Sequence, residues 1–164
     1  MITRGLVAIG LLAVSNGVNA QTAPPAGTSG FEDMLAGQSV LKMNGACNRL
    51  MTPEGDRTPE CDKQLINIAF ASGNSTFLAT MEGKGSISFR GRDSAARGDV
   101  ATIALRSIIL TGTDLSSPPI EIKAKGQCTY TNPHKGPIHV ECSANTAKGK
   151  YELSYVSDGV WPPK

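Results

Sequence analysis

Four cysteines, Cys47, Cys61, Cys128 and Cys142, carry the most definite chemistry in this 164-residue sequence. No Cys-x-x-Cys is present for thiol exchange or zinc, and no Cys-x-x-Cys-His for haem attachment, so the even number points to two disulfides. Such bridges persist in an oxidising compartment. By number alone three pairings are open.

Other reactive types are sparse. His134 and His139 are the only histidines. A metal centre on them needs a further ligand, and Glu141, which shares the strand parity of His139, is the candidate. Nothing in the spacing joins the three, so both histidines are read as exposed and no metal site is assigned. A serine nucleophile would be marked by a Gly-x-Ser-x-Gly elbow; the nearest match, Gly73-Asn74-Ser75-Thr76, runs into Phe77. The same Asn74-Ser75-Thr76 fits a glycosylation acceptor, a match that carries no meaning if the chain is bacterial. Asp93, Asp99, Asp114, Glu121 and Glu141 offer carboxylates for a composite hydrolytic site, yet no local spacing separates them from solvated acids. No catalytic residue and no cofactor are assigned.

Charge gives one local feature. From Lys84 to Arg97, four cations (Lys84, Arg90, Arg92 and Arg97) stand against the single acid Asp93. Arg90 and Arg92 share a strand parity and project from one face, where they can meet a carboxylate, a phosphate or an acidic glycan. Arg90, Arg92 and Arg97 are therefore the candidate binding residues for a small anionic ligand.

The rest of the sequence sets what carries these side chains. Met1 to Arg4 is a short basic start, Gly5 to Val14 is apolar or small, and Val18-Asn19-Ala20 suits a signal peptidase, so residues 1–20 read as a secretory signal. As a helix the apolar run reaches only about 15 Å, half of a hydrocarbon core. Cleavage would take the chain from 164 to 144 residues, with Arg4 the one charge lost, leaving 15 Lys and Arg against 14 Asp and Glu. That balance offers no global attraction to nucleic acid, and no later apolar stretch is long enough to span a membrane. The expected location is periplasmic or secreted. Gln21 to Gly30, with Pro24, Pro25 and Gly27, reads as a flexible leader. Phe31 to Ala36 suits one helical turn, and residues 31–164 form a single β domain.

Parity chooses the disulfides. Ile120, Ile122, Ala124, Gly126 and Cys128 alternate along one strand, and Ile138, Val140 and Cys142 along another. Between them Thr131 to Pro137 is a cluster of turn formers, so the pair folds as an antiparallel hairpin with Cys128 opposite Cys142. Cys47 then pairs with Cys61, closing Asn48 to Glu60, whose Pro53-Glu54-Gly55-Asp56 and Pro59 are expected to leave regular structure.

Further strands follow from alternation. Ile66, Ile68 and Phe70 share one face, as do Phe77, Ala79 and Met81, then Ile87 and Phe89, and finally Tyr151, Leu153 and Tyr155. Gly91 to Gly98 reads as a polar loop. In Asp99 to Thr111 the apolar parity changes, which predicts a bulge near Ser107. The sum is an all-β chain: a single small antiparallel barrel or sandwich of about seven to eight strands, stapled by disulfides.

The functional expectation is an exported, non-catalytic binding or interaction module. Its partner is an unknown protein or a small anionic ligand, and the bridged Asn48 to Glu60 loop presents a rigid tip. A small-ligand carrier with a barrel cavity, and a hydrolase with a composite carboxylate site, are the alternatives.

Overall fold

The computed structural model describes residues 38–114 and 116–159. The expected signal (1–20), leader (21–30) and helical turn at Phe31 to Ala36 lie outside these residues. The described chain runs through β1 (Gln38–Thr52), β2 (Gly55–Asp56), a 3-10 turn (Thr58–Glu60), β3 (Cys61–Phe70), β4 (Asn74–Met81), β5 (Gly85–Arg97), β6 (Val100–Thr111), β7 (Ile120–Thr131), β8 (His139–Thr146) and β9 (Gly149–Ser157).

β1 pairs antiparallel with β3 and with β9, and from β3 to β9 each strand pairs antiparallel with the next. Eight strands thus close into a barrel, with the two-residue β2 folded back on β1. Closure decides barrel over sandwich, and among the described residues it joins the first and last long strands, leaving the two-residue β2 as the edge. β1 makes closure possible by changing partner along its length. Gln38 to Asn44 face β3, and Gly45 to Met51 face β9.

The inside is filled by alternate residues. Met43, Leu50, Leu65, Phe77, Ala79, Ile87, Phe89, Ile103, Leu105, Ile108, Val140, Tyr151, Leu153 and Tyr155 are all buried. Phe77 meets Tyr130 edge-on with ring centroids 5.4 Å apart, a favoured arrangement for two aromatic quadrupoles. The inside is apolar and most charged residues stand outside, the inverse of a barrel whose wall meets lipid. No helix among the described residues is long and apolar enough to cross a membrane.

Both expected disulfides form. Cys128 and Cys142 are direct cross-strand partners on β7 and β8, inside the barrel. Cys47 joins Cys61 across the gap where β1 leaves β3, beyond their last pair, Asn44 with Gln64. The predicted bulge is also present: opposite β5, the register of β6 slips between Leu105 and Ser107, and Ile108 replaces the odd parity inside.

Ile66, Ile68 and Phe70 share one face, and it is the outer one, because Leu65 is held opposite Met43 and Ala79, which both point in. Two expectations are corrected. Gly91 to Gly98 is no loop; β5 continues through Arg97, since each residue from Gly91 to Ser94 finds a partner on β6. Ile120 does not join the core of β7 but lies 59% exposed at its start.

Candidate functional site

One end of the barrel is built by the β1–β2 turn, the 3-10 turn, the β4–β5 turn, the β6–β7 connection and the β8–β9 turn. Here the bridged segment Asn48 to Glu60 does not project as a tip. Its first residues extend β1, and the rest is tied to the rim. Thr58 Oγ1 accepts from Leu50 N at 2.8 Å, Arg57 N donates to Leu50 O at 2.7 Å, and Glu82 N donates to Glu60 O at 3.0 Å. Asp56 Oδ1 accepts from Thr58 N at 2.8 Å, at the start of the 3-10 turn. The Cys47–Cys61 bridge anchors the base of the same segment.

Under this segment lies a cavity of about 450 Å³ that opens at the barrel end. Met81, Ile87, Leu110, Ile120 and the Tyr151 ring give it apolar walls, and Glu54, Arg57, Glu60 and Lys84 give it charged ones. Its dimensions and mixed lining are those of a small-molecule site.

Two polar atoms of the lining are buried without a partner: Glu60 Oε2 and the Tyr151 hydroxyl. Both belong to well-held residues. Glu60 spends its other oxygen, Oε1, on Lys84 Nζ at 2.7 Å and Arg57 at 3.4 Å. The hydrogen bond and charge of Lys84 hold the Glu60 carboxyl below its usual range, so it is ionised and can only accept. Tyr151 is 1% exposed. Burial, helped by the Glu54 carboxylate, raises its phenol, which keeps its proton and can donate or accept. A buried polar atom without a partner is unfavourable, so the two atoms in one cavity make it the candidate site for a ligand.

The opposite end holds a different pair. Tyr130 donates to Asp93 Oδ1 at 3.4 Å. Desolvation raises Asp93 despite this contact and Ser75, and Tyr130 is pushed up to about 12, first by its own burial and then by the Asp93 charge. The folded state therefore binds the Asp93 proton more tightly than the unfolded chain does. Its contribution to stability is full below the unfolded pKa and is lost as pH rises through the folded value. Asp93→Asn, which keeps an acceptor for Tyr130, should therefore melt higher than the parent at pH 7, with the difference shrinking towards pH 3. Thermal melts at both values check this, and a constant difference would remove the desolvation argument.

The sequence candidates are scattered by comparison. Arg90 and Arg92 are exposed on the outer wall of β5, while Arg97 sits at the β5–β6 turn opposite Val100. Asp99 pairs with Lys135 at 2.7 Å, Asp114 accepts from Ser116 and Ser117, and Glu141 accepts from Ser154 Oγ at 2.6 Å. His134 and His139 are both exposed, and among the described residues no three His, Cys, Asp or Glu side chains form a metal-binding group. Asn74 begins β4 and donates to Ser72 Oγ.

Sequence reasoning placed Tyr151 on a core face but could not see where its hydroxyl ends. It did not single out Glu60, whose role depends on Lys84, twenty-four residues away. Comparison of the chain with protein-family models, curated proteins and solved structures found no match.

Proposed function

We propose that this chain is a non-catalytic, exported carrier that holds one small ligand in the barrel-end cavity. The ligand has an apolar body and a hydrogen-bond-donating head: a hydroxyl, amide or ammonium group. The observation that carries the reading is the pair of unpartnered buried atoms, Glu60 Oε2 and Tyr151 OH, in one apolar-walled cavity. A carboxylate that can only accept asks for a donor, and a protonated phenol accepts either role. Two disulfides suit an oxidising, extracellular or periplasmic setting.

A binding role separates function from stability at Tyr151. Removing an orphaned hydroxyl relieves its desolvation cost, so Tyr151→Phe should leave the melting temperature unchanged or raise stability by about 1 kcal/mol. The same change should weaken uptake of N-phenyl-1-naphthylamine, an apolar fluorophore with one N–H donor. Ile120→Asp, on the exposed cavity wall, should weaken it about tenfold, or 1.4 kcal/mol. Val100→Asp, also exposed but at the far end, should not. Absence of any emission rise with the parent protein, or equal losses in Ile120→Asp and Val100→Asp, rejects the cavity as the site.

A further inference from the structure

The outer wall of β5, β6 and β7 carries five exposed cations: Arg90 and Arg92 on β5, Arg106 on β6, and Lys123 and Lys125 on β7. Elsewhere five basic residues are paired, while Lys42, Lys63, Arg97 and Lys148 are not. Arg49, Arg57, Lys84, Lys135 and Lys150 each meet a carboxylate. Among the described residues none of the five wall cations does.

Register gives the wall its shape. Arg90 pairs with Ser107, and Ser107 with Lys123; Arg92 pairs with Ala104. The β5 and β7 cations therefore form two rails set two strand spacings, about 10 Å, apart. Between them β6 offers two small outward residues, Ala104 and Ser107, the latter 5% exposed. The β-bulge places Arg106 outward between the rails. Beside it an open cavity of about 670 Å³ is lined by Arg106, Lys123 and Lys125 together with Asn145 and Thr146. Glu121 lies on the same wall, two residues before Lys123, and Asp93 faces inward.

We infer that this wall is a second binding surface, for a linear polyanion lying along β6, and that the polyanion is an acidic polysaccharide. Two parallel rows of cations over a floor of small side chains match a chain with anionic groups on both sides better than a single anion. Single-stranded nucleic acid is the less favoured polyanion, because its binding relies on aromatic stacking platforms, and the floor between these rails holds none. Arginine suits sulfate and carboxylate groups through its planar fork of donors.

Heparin and polygalacturonate serve as sulfated and carboxylated probes for the full secreted chain. The triple variant Arg92→Ser, Arg106→Ser, Lys125→Ser should bind both at least tenfold more weakly, with a shallower dependence on salt. A control with the same net charge, Arg49→Ser, Lys135→Ser, Lys150→Ser, should keep most of the affinity. Arg92→Lys with Arg106→Lys, which keeps the charge, should retain binding and shows that the wall tolerates substitution. Equal losses in the two triple variants would reduce the effect to net charge and overturn the inference. Tighter binding of a single-stranded oligonucleotide of equal charge would overturn the polysaccharide. Retention of naphthylamine uptake by the wall variants keeps this result separate from the cavity.

Discussion

Loss of both disulfides is expected to unfold the barrel at 37 °C. Each bridge joins cysteines fourteen positions apart. In the chain-entropy model a loop of that size is worth about 3 kcal/mol. Together they account for about 6 kcal/mol, against a typical total of about 5–15 kcal/mol for a domain. Their local spans mean that neither bridge constrains the other's loop, so the two losses should add. The bridges differ in access. Cys128 and Cys142 are sealed inside, at 0% and 4% exposure, whereas Cys47 and Cys61 are half-buried at the barrel end. Mild reductant with an alkylating agent should therefore trap two labelled thiols first, on Cys47 and Cys61, with the barrel still folded. The other two should be labelled only with global unfolding. Peptide mapping against circular dichroism follows both steps, and simultaneous labelling of all four cysteines would contradict this order. Because the Cys47–Cys61 bridge also anchors one wall of the cavity, naphthylamine uptake should fall at the first step.

What the sequence made legible depended on whether the governing contact was local. Cys128 and Cys142 pair across a hairpin whose turn residues are contiguous, so alternation on the two flanking strands was enough to place them. The bulge at Arg106 was written in the β6 strand itself, where Leu105 and Ile108 cannot share a face without an inserted residue. β3 was different. Its larger residues, Ile66, Ile68 and Phe70, alternate cleanly, but the inward set is Leu65, Asn67 and Ala69. Asn67 survives inside because its amide donates to Ser75 Oγ at 3.2 Å and Thr76 O at 3.3 Å. Pairing with β1 and β4 fixed that parity, and pairing is non-local. The candidate site is less legible again. Glu60 and Tyr151 come from a turn and from the last strand, and neither has a spacing signal. On the wall, Arg90 and Arg92 were visible as a run, while Arg106, Lys123 and Lys125 joined them only through register.

Gly45→Ala is expected to open the barrel at its seam. Gly45 is the first β1 residue opposite β9, directly after the last pair with β3, so the strand bends there between two partners. A Cβ at this position would run into the Val156 carbonyl oxygen and lie 2.7 Å from Ser157 Cα. Both are main-chain atoms, so no side-chain rotation relieves the clash, and β9 has to move. That shift would reach bonds on either side of the seam. Tyr155 OH donates to Met43 O at 2.7 Å and lies 3.1 Å from Lys63 O, fastening β9 to β1 and β3. Asp158 N donates to Asn44 O at 2.8 Å, and Ile138 N to Ser157 Oγ at 2.7 Å. Overpacking alone costs about 3 kcal/mol at the upper end of its usual range, which for a domain of this size lowers the melting temperature by about 10 °C. Gly112→Ala is the matched control: its added Cβ would find nothing nearer than Asp114 N at 4.0 Å, so the change should stay within about 0.5 kcal/mol. Burial pushes the Tyr155 phenol up to about 12, and opening the seam would hydrate it. Spectrophotometric titration of Gly45→Ala should therefore show this tyrosine ionising at lower pH than in the parent. Equal melting of the two glycine variants would mean that β1 and β9 do not approach as closely as the seam requires.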